Sequence, residues 1–188
     1  MADTNKEMGL PSKVVGPKFM LQIDGMGMHS TVKGFEDFVE IYEWGMDAHC
    51  YSAPQMTASF SQQEPPSTTP LYLRVPLGLH LPKLMKAMIE KKAQKKAVLV
   101  MLASIGTSNQ KIMEITMESV AVEEVRLGNN VRGRNNKNNR DIDNNFENSF
   151  ETLLRFGTIE WAYTSFTHDG KKEGQDVAHL NMMTGEVK

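Results

Sequence analysis

His80–Leu127 reads HLPKLMKAMIEKKAQKKAVLVMLASIGTSNQKIMEITMESVAVEEVRL, and the change of apolar period inside it decides the fold. Leu81, Leu84, Met85, Met88 and Ile89 recur at helical spacing, the pattern of one buried stripe. Pro82 suits a first helical turn, where its missing N–H costs nothing. Lys83, Lys86, Glu90, Lys91 and Lys95 fall on or beside the opposite face, so a helix over about residues 82–94 is expected. After Lys96 the period changes: Ala97–Ala103 is a continuous apolar run, as in a strand covered on both faces. Gly106–Gln110 predicts a turn, and Met113, Ile115 and Met117 then alternate with Glu114, Thr116 and Glu118, as in a strand with one wet face. Beyond Met117 the parity slips to Val120 and Val122 and back to Val125 and Leu127, which predicts a β-bulge.

Working outward, Phe19–Ile23 predicts a short strand closed by Asp24-Gly25. Asp37–Gly45 fits a helical stripe or a strand apolar on both sides, and its β-branched and aromatic content favours the strand. Met46–Pro70 is expected to be an extended excursion with one strand at Met56–Phe60, because Pro65-Pro66 excludes a central element. Leu71–Val75 predicts a strand ended by Pro76. Phe150–Tyr163 is another, with a parity switch at Gly157, and Val177–Val187 is expected to return as an edge strand after a turn at Thr167–Gly174. Residues 1–18 are expected to form a flexible arm, and residues 19–188 a single domain. In 129–148, nine of twenty residues are asparagine and little is apolar, so a mobile loop is expected there. About eight strands follow one another around one helix, which argues for a mainly β, antiparallel sandwich or barrel.

The chemistry is sparse. Hydrophobic residues make up 40%, charged residues 23%, and the net charge of -2 gives no reason to expect nucleic acid or an anionic membrane as a partner. The basic residues Arg132, Arg134, Lys137 and Arg140 are offset by Asp141, Asp143 and Glu147, without an aromatic beside them to stack on bases. The lone Cys50 permits no intrachain disulfide and no cysteine-rich zinc site, and His49-Cys50 is adjacent in sequence, where side chains on a strand diverge. His29, His49, His80, His168 and His179 hold no metal-ligand spacing, and no P-loop, GxGxxG, HExxH or GxSxG occurs. No catalytic, cofactor or metal residue is therefore expected, nor an enzyme. Most of the fourteen methionines are expected in the core, with Met26, Met28, Met46 and Met56 suited to an adaptable protein contact. No basic-then-apolar leader or spanning apolar run is present, so synthesis in the cytoplasm without a Sec-type signal peptide is expected.

The ordered motifs resemble the haemolysin-coregulated protein (Hcp) family of type VI secretion. They are Phe19-Met-Leu-Gln-Ile-Asp-Gly25, Phe38-Val-Glu-Ile-Tyr-Glu-Trp44, Pro76 six positions before Pro82, and Phe156-Gly-Thr-Ile-Glu-Trp-Ala-Tyr163 followed by Asp169-Gly-Lys171 and Gly174. The resemblance favours the strand reading of Phe38–Trp44. It implies a compact two-sheet β-barrel with one flanking helix, assembled into hexameric rings that stack into a hollow tube. A contractile sheath would drive the tube, with spike and baseplate proteins, out of the cell, and effectors would travel with it. It further implies that the excursion after the tryptophan strand makes subunit contacts, through Trp44, Met46, His49, Tyr51, Met56 and Phe60. The toxin domain fused to some members is expected to be absent. Lys91 stands where the family's helix region usually ends on glycine, which implies a longer helix, and Leu180 or a neighbour replaces a tryptophan of the last strand. Two other readings compete: a monomeric β-barrel around a small apolar ligand, and a phage tail-tube-like protein.

Overall fold

A computed structural model of the chain describes residues 17–49, 67–105, 108–127, 148–167, 169–182 and 184–187. Eleven strands and one helix occur among them: β1 (Lys18–Ile23), β2 (Val39–Ile41), β3 (Glu43–Gly45), β4 (Ala48–His49), β5 (Ser67–Thr68), β6 (Leu71–Pro76), α1 (His80–Ile89), β7 (Gln94–Ile105), β8 (Ser108–Leu127), β9 (Ser149–Arg155), β10 (Thr158–Phe166) and β11 (Lys172–Asn181). His80–Leu127 is the centre of this arrangement. β7 and β8 form a long antiparallel hairpin, and α1 packs on β8.

β8 belongs to two sheets. Its first half pairs with β7 and, through Glu118↔Thr158 to Met113↔Tyr163, with β10, whereas Ala121–Leu127 pairs with β9. The corner is Ser119, at φ 54°. There the buried face changes from Ile115 and Met117 to Val120 and Val122, the parity switch expected from the sequence. Gly157 lies opposite, its N–H donating to the Glu118 carbonyl at 2.9 Å. A Cβ on Gly157 would stand 3.2 Å from the Ser119 Cβ, so the corner closes tightly because this residue has none. One sheet half then runs β2-β1-β7-β8-β10-β11 and the other β3-β6-β9-β8.

The expected closed β-barrel does not form. The ends of the strand path, β2 and β3, are consecutive in the chain, but β2 pairs with β1 and β3 with β6, and no ladder joins them. The chain that would close the cylinder is split at Tyr42, whose N–H donates to the Arg74 carbonyl at 3.0 Å. The two halves therefore share a corner there, and among the described residues no sheet closes into a barrel. The reading as a ligand-holding barrel loses its premise with it.

The core lies between the halves, with Leu21, Leu73, Leu84, Leu99, Met117, Leu154 and Ile159 fully buried. Both faces of β7 are covered, as its unbroken apolar run predicts. Ala97 and Leu99 face the main core, while Val98, Val100 and Leu102 join Met20 in a second cluster under Val32, Phe35 and Phe38. Phe35 and Phe38 meet edge-on at 5.2 Å. Met26 and Met28 are buried in the main core, so they do not form the adaptable contact expected of them.

α1 starts two residues before and stops five before the expected 82–94. Leu84 and Ala87 are buried, but Ile89, expected in the same stripe, is 74% exposed because the helix ends on it. Lys91 ends the helix itself. It adopts φ 52°, its N–H donates to Met88 O at 3.2 Å, and the Lys92 N–H reaches Ala87 O at 2.9 Å. This is a Schellman closure with lysine in the position that glycine usually takes. A left-handed conformation costs an L residue about 1–2 kcal/mol, part of which glycine returns as extra freedom of the unfolded chain. Lys91→Gly is therefore expected to stabilise the protein by about 0.5–1 kcal/mol, seen as a higher urea midpoint at unchanged slope. A lower midpoint would refute it.

Candidate assembly surfaces

The excursion expected to make subunit contacts rises from a short ladder. β4 and β5 pair through Ala48↔Thr68 and His49↔Ser67. Asp47 and Thr69 close the base, with Thr69 N–H donating to Asp47 O and Asp47 N–H to Thr69 Oγ1, both at 2.9 Å. Thr68 Oγ1 lies 3.5 Å from Met182 Sδ, so this base sits beside the end of β11. Of the six residues assigned to assembly, Trp44 is half-buried in β3 with its ring 5.8 Å from that of Phe19, and Met46 is half-buried against the core. His49 is exposed in β4. Tyr51, Met56 and Phe60 lie outside the described residues, as do Cys50, His168, the strand expected at 56–60, the arm over residues 1–16 and nearly all of the asparagine-rich loop.

A second surface was not singled out from the sequence. Leu99, Ile115, Trp161 and Ala178 stand side by side across β7, β8, β10 and β11, and burial falls along that row from Leu99 at 0% to an exposed Ala178. The next row, Met101, Met113 and Tyr163, reaches a Tyr163 that is 58% exposed before passing to Asp176 of β11. The core-side face of this sheet thus extends past the opposite sheet as an apolar ledge. β11 borders it, exposed at most positions and anchored by Leu180, which is 5% exposed. Among the described residues the isolated bridge Leu180↔Val187 covers that end of the strand, while Lys172, Glu173 and Asp176 put charge along the rest. The alternation in Phe156–Tyr163 was the signal for the ledge, but it does not show where the opposite sheet stops.

The outer face of the β3-β6-β9-β8 half holds a buried charge. Arg74, 3% exposed, donates from Nη2 to Glu151 Oε1 at 2.8 Å and to Tyr72 Oη at 3.5 Å, with Glu43 at 3.7 Å from its Nε. Burial opposes the arginine charge, but the hydrogen bonds to Tyr72 and Glu151 and the nearby carboxylates outweigh it, so its pKa lies above the usual value. Burial likewise raises the Tyr72 phenol. A neighbouring cleft is lined by Tyr72, Glu124, Arg126, Glu151, Thr152 and Leu153, and across it Arg126 pairs with Glu124. This network is a set of paired charges on a sheet face. Among the described residues no group of three or more His, Cys, Asp or Glu side chains is placed to hold a metal ion. Among the same residues no helix is long and apolar enough to cross a membrane.

Comparison with known proteins places this architecture. The profile of the family described as type VI secretion system effector, Hcp, matches residues 20–163. A crystal structure of Hcp1 from Salmonella typhimurium superposes at TM-score 0.68 with 18% identity, covering 92% of this chain and 99% of that one. A type six secretion system protein does so at TM-score 0.76 with 13% identity, covering 92% and 100%. A type VI secretion system effector from Yersinia pestis does so at 0.62 with 13% identity, covering 87% and 98%. At these identities the structures speak for the fold, and no curated protein matches the sequence. The family profile covers well over half of the chain, and its span includes the Ile23-Asp24-Gly25 turn, the Trp44 strand and the Phe156–Tyr163 strand: the chain belongs to the Hcp family of type VI secretion proteins.

Proposed function

We propose that this protein is a tube subunit of a type VI secretion system, a structural part that assembles into hexameric rings which stack into a hollow tube. Membership of the Hcp family supports this. The observation that carries it is the apolar ledge of Met113, Trp161 and Tyr163 beside the exposed strand β11, since a sheet that outruns its own core has apolar surface to bury against a copy. The span between β4 and β5 reaches the next subunit or ring, with Trp44 and Met46 anchoring its base and His49, Tyr51, Met56 and Phe60 on the reaching segment. The tube's partners are a contractile sheath, a spike and baseplate, and effectors that leave the cell with it. Such a part works by packing and calls for no catalytic group.

Native mass of the purified chain, with negative-stain images of the same sample, tests the proposal. The expected result is a species near six times 21.1 kDa with annular particles. A single species of 21.1 kDa at high protein concentration, without annuli, would count against it.

A further inference from the structure

His80 opens α1 and is 4% exposed. Its Nε2–H donates to the Pro76 carbonyl at 3.0 Å, four residues back, so the ring ties the first turn of the helix to the end of β6. One ring face leans on Phe150 of β9, centroid to centroid 5.7 Å. The edge bearing Nδ1 and Cε1 lies against Gly78, where a Cβ would stand 2.9 and 2.7 Å from those atoms. Between these contacts the Leu77 N–H donates to Asn148 O at 2.8 Å and joins the same turn to the start of β9.

Among the described residues no acidic side chain faces the ring to stabilise a second proton. On β6 and β9, Arg74 and Glu151 pair across the ladder next to Val75↔Phe150, and so lie on the opposite face of the sheet from Phe150. On β8, Arg126 pairs with Glu151 and shares that outer face, while Glu124 is turned to Arg126 there. On α1 itself, Lys83 is exposed and cationic. The helix has no acidic residue in its first turn and no side-chain cap on Leu79, so its positive end is uncompensated. Among these described groups only the Pro76 carbonyl favours a cationic ring, and burial outweighs it.

We propose that His80 is an acid-sensitive latch: in mild acid its ring takes up a proton and releases the Pro76–Leu84 turn from β9 before the rest of the fold opens. The inference is independent of the tube reading. Burial, only partly offset by the Pro76 hydrogen bond, holds the ring's pKa below the ordinary histidine value. The sign follows from proton linkage. Above about pH 7 the ring is neutral whether the latch is shut or open. Below the ordinary pKa of about 6.5 the open state binds a proton that the closed state refuses, so the opening constant rises by up to about tenfold per pH unit. The rise stops below the depressed pKa of the closed state.

Hydrogen exchange of the backbone amides in residues 77–84, corrected for intrinsic rates, tests this on the full chain between pH 7.5 and 5. Faster opening confined to that segment is expected in the wild type. It should vanish in His80→Gln, whose amide keeps a donor for Pro76 without titrating. Opening that is independent of pH, or that persists unchanged in His80→Gln, overturns the proposal. If the variant fails to fold, NMR titration of the wild-type His80 ring decides: a pKa below 6.5 supports the latch, and one at or above 6.5 overturns it.

Discussion

Glu151→Ala is expected to cost about 3–5 kcal/mol of folding stability, because it removes the shortest ionic contact of a buried arginine. The Arg74 side chain is 3% exposed and its shortest ionic contact is the 2.8 Å bond to Glu151, itself only 13% exposed. Removing one partner of such a pair leaves the desolvation of the other uncompensated, which is the expensive half of the interaction. Glu43→Ala serves as the internal control. Glu43 is 57% exposed and 3.7 Å away, so water screens it and its loss is expected to cost at most about 1 kcal/mol. Replacing both members, as in Arg74→Met with Glu151→Leu, should recover most of the stability, since the pair's own contribution is small once its solvation is counted. Urea unfolding of the three variants separates these outcomes. Equal small losses for Glu151→Ala and Glu43→Ala would show that Arg74 is solvated more than its burial implies.

That pair also marks what the sequence could not reveal. Leu71-Tyr-Leu-Arg-Val-Pro76 alternates cleanly, so Arg74 reads as one more residue of a wet face. Its partner stands 77 residues later, and only the β6–β9 register brings Arg74 opposite Glu151. His80 reads as a histidine without ligand spacing, although the signal was local: a Pro-Leu-Gly-Leu-His run entering a helix that lacks a Ser, Thr or Asp cap. Met26 and Met28 could not be placed because two apolar residues in a polar segment have no period, and their burial depends on how the segment folds back.

Other features were legible because each depends on a few neighbouring residues. The parity switches near Ser119 and at Gly157 show in the spacing of the apolar residues on either side, and the structure has the two residues opposite one another at the corner of β8. Closure of a barrel is a different kind of property. It depends on whether two strand ends far along the path meet in one ladder, and the break at Tyr42 has no signature in Phe38–Trp44 beyond a run apolar on both sides. The ending of α1 departs from the expected 82–94 for a related reason. Absence of glycine at Lys91 argues for continuation by propensity, yet the following strand β7 must start at Gln94, and tertiary packing imposes the left-handed turn on a lysine.

Phe150→Ala is the core substitution with the largest expected cost, about 3–5 kcal/mol. Phe150 is 2% exposed and stands where three elements meet: it faces Val75 across the β6 ladder and Leu127 across the β8 ladder, and supports the His80 ring of α1. Truncation leaves a void whose walls are held by two ladders, so the site cannot collapse and the cavity penalty adds to the lost transfer energy. Phe150→Leu fills most of that space and should cost about 1–1.5 kcal/mol. Leu127→Ala separates packing from ladder position. Leu127 is the cross-strand partner of Phe150 but is 54% exposed, so its truncation is expected to cost under about 1 kcal/mol. A His80–Phe150 double-mutant cycle should further show a coupling of about 0.5–1.5 kcal/mol, the range for a paired ring contact. If Phe150→Ala costs no more than Leu127→Ala, the junction of β6, β9 and α1 is loosely packed, and β9 takes its stability from the ladders alone.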